Sequence, residues 1–466
     1  MYERKIPVAC VQLRAHDRND FTTRWPQITA RVEAAAASGA KLVVLPEGTV
    51  PAYVLGDAPL AQDELKRASD DLGALARRHA ITIVYGSAKI LHNRTFNAAI
   101  AVGPSGQELG FAAKQFLWHF DRRWFAPGES LEPVDTPVGR LGLLVCADGR
   151  IPTIAATLVE RGAELLVMPT AWVTSGRDPA ALENIQADVM VNVRARENGV
   201  PFVAANKTGV ELGAVAYCGK SAIVAADGAF VARGGEVAEE IVASDVTLGS
   251  PRRGSAATLE IAASDDADAP RPDAKARIAF TLASDEPEVA ALARLAAVAD
   301  ANLLVACGPA RGASLPLIDL SAAARDTIAA AAGVRAAVVG SAVARNPRGL
   351  IAARTAGIDL VIWHVDDAAG EAAAWQVGFA RTRAAELRAF VIVVDRAHER
   401  AFAVDPDGAV VAGTFAQYRM ASFAYDAARA AATLVAPATD VAEGLRIAES
   451  IRAERRPATV ADGAAR

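Results

Sequence analysis

The sequence predicts an α/β protein assembled from two like halves, and three observations carry that expectation. Apolar strand-like runs alternate with Ala-rich helical stretches along most of the 466 residues, the pattern of sheets covered by helices. Some neighbouring runs are joined by tight turns, such as "VGPSGQE" and "AADGAF", so the sheets should be mixed and not wholly parallel. The second half of the chain also repeats landmarks of the first in the same order.

Taken in order, "IPVACVQL" is a first strand and is followed by a helix over about 22–38. "AKLVVLPEG" is the next strand, then come a helix over 62–79 and a strand at "AITIVYGSA". "NAAIAVG", "GRLGLLVCA", "AELLVMPTA", "VPFVAAN" and "KSAIVAADG" read as further strands, with helices over 152–161 and 180–198. Pro152 suits a first helical turn and Gly162 the stop of the same helix. Residues 248–277 hold Pro, Gly, Ser and a cluster of Asp. They read as a linker with one short strand at "ATLEIAA". The alternation then resumes, and beyond 436 a polar, Ala-rich tail carries one helix near 440–455 and a mobile end. The expected division is a first unit at 1–250, a linker at 251–275, a second unit at 276–435 and a tail at 436–466.

The repeat is specific at non-Ala positions. "ARIAFTLAS" lies beside "IPVACVQLR", and "VVGSAVARNPRGLIAARTAGIDLVIW" beside "LLVCADGRIPTIAATLVERGAELLVM". Pro347 meets Pro152, Gly357 meets Gly162, Arg383 meets Arg194 and Glu386 meets Glu197. Glu47 and Cys146 stand 99 positions apart, whereas their counterparts Gly308 and Ser341 stand 33 apart. The second copy has lost a block and two reactive side chains. Long-period repeats mean paired units burying a shared face, here with one unit fully equipped.

Composition narrows the class. Apolar residues make up 52% and charged residues 22%, with a net charge of -5. That balance gives no global electrostatic reason to expect nucleic acid or an anionic membrane as partner. No apolar run approaches the roughly 20 residues that span a bilayer, and the N-terminus reads as a strand without a secretory h-region. The 4 cysteines form no Cys-x-x-Cys pair and the 6 His residues no close pair. A disulfide framework and a zinc site are thus not expected, and a reducing cytoplasm is the default location.

Three stretches carry chemistry. In "GLLVCADGRIPTIAA" a strand runs into Cys146 and a helix begins at Pro152. A thiol in that turn points out of the sheet toward the partly positive helix end, which favours thiolate, although a lone Cys is more often a small core residue. In "LVVLPEGTVP" an apolar strand delivers Glu47 beside a buried sheet. Poor solvation there should raise its pKa toward that of a general base, unless it faces solvent at a strand edge. In "AAKQFLWHFDRRWFAPGES" Lys114 precedes Phe116, Trp118, Phe120, Trp124 and Phe125. So many aromatics suggest a pocket wall from which the ammonium stabilises an oxyanion, or else an ordinary packed loop with a solvated Lys.

Together, Glu47, Lys114 and Cys146 resemble the triad of the nitrilase (carbon–nitrogen hydrolase) superfamily. The resemblance spans about residues 4–250 and rests on "LPEG", Lys114 with the "FAPG" after it, "VCADGRIP" and "RARENGVPFVAAN". It implies a four-layer αββα sandwich, in tandem here, with no metal or cofactor. It also implies Glu47 as general base, Lys114 as oxyanion stabiliser, Cys146 as nucleophile and the Ala147 N–H as second oxyanion donor. The implied reaction is hydrolysis of an amide or carbamoyl bond in a small molecule through a Cys thioester. Amide-forming acyl transfer and a non-catalytic binding protein are the alternatives. Asp121 stands where many members carry a second Glu, and Phe116 where many carry His. Ala147 and Asp148 replace the Trp-Glu of true nitrilases, which favours amides over nitriles. Asp121, Ala147 and Trp172 are the expected substrate contacts. Arg150 and Asn206 line or brace the pocket, and Arg194 with Glu197 makes a structural ion pair. The second unit, lacking the triad, is expected to act as a built-in partner in an intramolecular pseudo-dimer. Whether that pair associates further stays open.

Overall fold

Alternate residues of the first strand, Arg4–Arg14, face two different cores, and this places it at the centre of the first half. Val8 and Cys10 point into the main core, while Ala9, Val11 and Leu13 point into a second one under two helices. The structure, a computed structural model, describes residues 4–174, 181–249, 257–261, 275–323, 325–366, 373–414 and 419–454.

The first strand pairs in parallel with Leu42–Val44 and, on its other side, with Lys207–Glu211, and antiparallel with Glu240–Leu248. Thr82–Leu91, Arg94–Val102 and Glu108–Ala113 extend the sheet. Helices α1 (Phe21–Ala37) and α2 (Gln62–His79) cover its outer face. Phe21, Trp25, Ile28 and Val32 of α1 bury there at the helical spacing. A second sheet runs through Val134–Thr136, Gly139–Leu143, Leu165–Pro169, Phe202–Ala205, Ala222–Val224 and Phe230–Arg233. Its three central strands are parallel and its ends antiparallel. The main core fills the space between the sheets, and helices α3 (Pro152–Glu160) and α4 (Val191–Asn198) close the far side. The layers are thus α, β, β, α, with both sheets mixed and both predicted hairpins formed.

The second half repeats this plan with fewer strands. Lys275–Thr281 pairs in parallel with Leu303–Ala306 and antiparallel with Met420–Asp426, as the first strand pairs with its neighbours. The other sheet runs Thr327–Ala331, Val334–Val339, Leu360–His364, Phe390–Asp395, Arg400–Val404 and Val410–Gly413. It matches the second sheet strand for strand in direction. Helix α5 (Glu286–Val298) covers the outer face and the helix Ala373–Leu387 the inner one. Between Leu303–Ala306 and Thr327–Ala331 there is one short strand, Leu317–Asp319. The Lys114-bearing segment has no counterpart there.

The halves meet through their inner helices in a self-complementary cluster. Arg194 binds Glu197 on its own helix at 2.6 Å and Glu386 of the other half at 2.5 Å. Arg383 binds Glu386 at 2.6 Å and Glu197 at 2.6 Å. Each guanidinium also donates to two carbonyls of the equivalent turn, Gly149 and Arg150 in one half, Ala344 and Arg345 in the other. Reciprocal pairing of like surfaces is the geometry of a two-fold interface, realised here inside one chain. The expected ion pair is therefore half of a four-residue network.

Three expectations need correction. "ATLEIAA" forms no strand over its described residues 257–261; Leu259 instead buries its side chain in the main core and donates its N–H to the Gly349 carbonyl. The helix expected over 180–198 begins at about 185. The Asn184 carboxamide accepts from the N–H groups of Gln186 and Ala187 and caps it there, and a wide π-type turn at Gln186–Met190 leads into α4. Residues 175–180 lie outside the described residues. The stretch after 436 is not a loose tail. Helix Val441–Ala453 buries Val441, Leu445 and Ala448 in the main core. It packs on the first half, where a Cβ on Gly444 would lie 2.6 Å from the Phe116 ring. The end expected to be mobile, residues 455–466, lies outside the described residues.

Candidate active site

The strand that ends at Val44 leaves Glu47 fully buried between the two sheets. Thr82–Leu91 runs so close beneath that a Cβ on Gly86 would lie 2.4 Å from the Glu47 Cα. Glu47 Oε1 accepts from the Asn97 carboxamide at 2.6 Å and from the Lys114 ammonium at 2.8 Å. Its Oε2 is buried and has no hydrogen-bond partner among the described residues. One oxygen is thus held in place and the other is free to take a proton.

Lys114 follows the strand Glu108–Ala113 and is fully buried. Its ammonium lies between Glu47 and Asp121, 2.6 Å from the latter. Burial pulls its pKa down, but Asp121 and Glu47 outweigh that and hold it well above the usual lysine value. The ammonium therefore stays charged in a dry site, where an oxyanion donor is worth most. Asp121 is itself fixed by the Trp118 N–H, which donates to it at 2.9 Å.

Cys146 opens a 3₁₀ turn, Cys146–Arg150, between strand Gly139–Leu143 and helix α3. Its φ of +46° is left-handed, a conformation that costs a non-Gly residue on the order of 1 kcal/mol. Ser341, its counterpart, lies instead at the start of the short helix Ser341–Arg345, with no positive φ. The strain belongs to the copy with the thiol. Asp148 holds the turn: its carboxylate accepts from the N–H groups of Val145, Gln115 and Phe116 at 3.0, 3.1 and 2.8 Å. The turn is thereby tied to the Lys114 loop. Burial raises the Asp148 pKa to about 6 despite those donors.

The helix-end argument for a resting thiolate does not hold. Burial first, and the Glu47 charge second, push the Cys146 thiol well above its usual value, with Lys114 pulling only partly back. A protonated thiol beside a carboxylate with one free oxygen is the arrangement for base-assisted attack.

The structure brings Glu47, Lys114, Asp121 and Cys146 to one place, with Ala147 buried in the Cys146 turn. The Trp172 ring is buried in the main core, and its backbone N–H donates to the Asn206 carboxamide oxygen at 2.7 Å, while its neighbours Val173 and Thr174 line the nearby cavity. Phe116 is a core residue too, and Trp124 and Phe125 join a small outer cluster; Trp118 and Phe120 do line the cavity. Two residues escaped the sequence reading. Asn97 orients Glu47 and accepts the Lys114 N–H on its carbonyl at 2.8 Å; inside "NAAIAVG" it carries no distinguishing signal. Asp148 was named only as a departure from the family pattern, and its bracing role could have been suspected from its place as the one acidic residue within the turn.

A cavity of about 600 Å³ has Tyr53 and Phe120 of the first half in its lining. The Tyr53 ring lies 5.8 Å from the Lys114 ammonium. Its opposite wall comes from the second half, through Arg381, Ala385, Arg388 and Asp407. The second half itself cannot hold a Glu at the repeat position: a Cβ on Gly308 would lie 2.1 Å from the Ser284 carbonyl.

Residues 7–253 match the family model described as carbon–nitrogen hydrolase. A probable nitrilase of Schizosaccharomyces pombe is 26% identical over 252 residues, 52% of this chain and 89% of that protein. An omega-amidase of Homo sapiens is 29% identical over 254 residues, 52% of this chain and 88% of that protein. Among solved structures, an amidase from Nesterenkonia sp. is 25% identical with a TM-score of 0.47, covering 52% of this chain and 89% of that one.

Proposed function

Since the chain belongs to the carbon–nitrogen hydrolase family, we propose that it hydrolyses an amide or carbamoyl bond of a small molecule through a thioester on Cys146. The observation that carries this is the buried Lys114 ammonium bridging Glu47 and Asp121 beside a protonated thiol, with Glu47 Oε2 free. As Cys146 attacks the carbonyl carbon, Glu47 Oε2 takes the thiol proton. The Lys114 ammonium and the Ala147 N–H stabilise the oxyanion. The C–N bond breaks as the Glu47 carboxyl returns the proton to the departing amine. A water that gives its proton to Glu47 then attacks the thioester, and the acid leaves as that proton restores the thiol. Asp121 holds Lys114 in place, and Asn97 and Asp148 position the base and the nucleophile.

In this reading residues 1–250 are the catalytic unit and 276–435 a unit without the triad, serving as a built-in partner. The shared cavity wall and the reciprocal Arg–Glu network support that role. Intact-mass spectrometry after mixing with amides should show an acyl adduct on Cys146, with ammonia or amine released. Cys146→Ala should remove both the adduct and turnover. Turnover that survives that substitution excludes the thioester.

A further inference from the structure

The segment that leaves the second half crosses to the first and meets the turn that carries Asp121. Its start is tied to the second half: Arg354 donates to the Ala430 carbonyl at 3.2 Å and Arg388 to the Ala432 carbonyl at 3.0 Å. Leu434–Ala436 then pairs antiparallel with Thr439–Asp440, and helix Val441–Ala453 follows. Thr439 is fully buried. Its hydroxyl donates to the Pro437 carbonyl at 3.2 Å and accepts the His119 N–H at 2.6 Å. His119 opens the 3₁₀ turn His119–Arg123 with a φ of +49°. A non-glycine residue keeps that left-handed conformation only where its surroundings over-determine it. Two residues on, Asp121 meets the Lys114 ammonium at 2.6 Å. Arg122 of the same turn donates to the Ala438 carbonyl and to the Glu443 carboxylate, each at 3.0 Å. That ion pair is partly exposed and worth little by itself. The buried hydroxyl matters more, because without it the His119 N–H loses its acceptor.

We propose that residues 432–443 are a strap from the half without the triad onto the Asp121 turn, and that Thr439 is a positioning residue for the Lys114 ammonium. The chain of contacts runs from Thr439 to His119, along the turn to Asp121, and from Asp121 to Lys114. The second half then supports catalysis through a backbone contact and supplies no reactive group. Lys114 also draws the Cys146 thiol down against burial and the Glu47 charge. A displaced ammonium leaves less thiolate, so alkylation of Cys146 slows. General loosening of the fold acts the other way: it exposes the buried cysteines and speeds their alkylation. The inference rests on the amide-hydrolysis reading for its effect on turnover, but not for its effect on the thiol.

The test uses the full chain and the near-isosteric Thr439→Val, which removes the acceptor and keeps the volume. Its kcat on an amide should fall by about tenfold with KM little changed, because an oxyanion donor acts in the transition state. Thr439→Ser keeps the hydroxyl and should restore most of the loss. Iodoacetamide alkylation of Cys146 at fixed pH, read by peptide mass spectrometry, should slow by about threefold or more in Thr439→Val, while Cys10, Cys218 and Cys307 react as in the parent. A kcat equal to the parent's, a Thr439→Ser variant as slow as Thr439→Val, or Cys146 alkylation that is unchanged or faster overturns the strap and leaves the amidase reading standing. A parent without amide turnover, but with Cys146 alkylation slowed in Thr439→Val alone, overturns the amidase reading and leaves the strap. If Thr439→Val does not unfold cooperatively, Arg122→Gln at the partly exposed contact decides by the same readouts, with a smaller drop of about threefold in kcat expected.

Discussion

Replacing Glu47 by Gln should slow turnover while making Cys146 more acidic. The carboxamide can keep the contacts of Oε1 with Asn97 and Lys114 and changes the atom at Oε2, the one without a partner. Loss of a positioned base costs about 10²–10⁴ in kcat. The thiol should move the other way. With Lys114 between two carboxylates, at 2.8 and 2.6 Å, the cluster carries one net negative charge, and ionising Cys146 adds a second in a buried site. The variant removes the first. A pair of like charges about 4 Å apart interacts by about 4 kcal/mol at an effective dielectric of 20, so the thiol pKa should fall by about one to three units. The assay is the pH profile of iodoacetamide alkylation of Cys146, read by peptide mass spectrometry, beside steady-state amide turnover. A misfolded variant could lose activity, but it would not shift one thiol selectively downward. Turnover within tenfold of the parent, or an alkylation pKa that stays or rises, would refute the reasoning.

The remaining predictions concern the scaffold. Arg194→Ala leaves Glu197 and Glu386 buried with half their compensation and should cost about 3–5 kcal/mol in urea unfolding; it should also lower turnover, because Arg194 braces the carbonyls of Gly149 and Arg150. Gly86→Ala forces a methyl to 2.4 Å from the Glu47 Cα and should reduce kcat by at least about tenfold through displacement of the base; a crystal structure of the variant with Glu47 unmoved would contradict this. His16 is buried, and burial first, then Lys207 and Arg24, lower its pKa from 6.5 to about 3. Its contribution is therefore fully present above pH 6.5 and is lost as the pH falls toward 3, a span worth on the order of 5 kcal/mol. His16→Gln should flatten the decline of stability between pH 6.5 and 4, and an unchanged slope would argue against this assignment. Asp148 acts with the opposite sign. Its pKa, raised to about 6, gives a contribution that is full below pH 4 and lost as the pH rises through 6, so it partly offsets His16 in that window.

Glu47 and Cys146 were legible because each follows an apolar run, where the chain must leave a sheet, and Lys114 because an aromatic-rich stretch follows it. The mixed sheets were legible from their turns, since a two-residue hairpin permits only antiparallel neighbours. Helix Val441–Ala453 was placed correctly along the chain but not in space, because its periodicity records an apolar face and not the surface that covers it. Phe116 was read as a pocket residue from the aromatic-rich stretch and Trp172 from the family resemblance, yet an aromatic fills a core as readily as a wall. The resting state of the thiol was misread because the helix end acts over one turn, whereas burial and the Glu47 charge act directly on the sulfur.

By itself the sequence carried the α/β class, the repeated landmarks of the two halves, Gly308 and Ser341 at the positions that match Glu47 and Cys146, and the resemblance of the first half to its family. These are written in local periodicity, turn chemistry and residue identity, all of which survive in one dimension. Tertiary structure alone decided that Arg194 and Arg383 exchange carboxylates between the two halves, that Asn97 holds one Glu47 oxygen, and that residues of both halves line one cavity. Those pairings join residues tens to hundreds of positions apart. Their energies depend on distance and desolvation, which exist only once the two halves have packed.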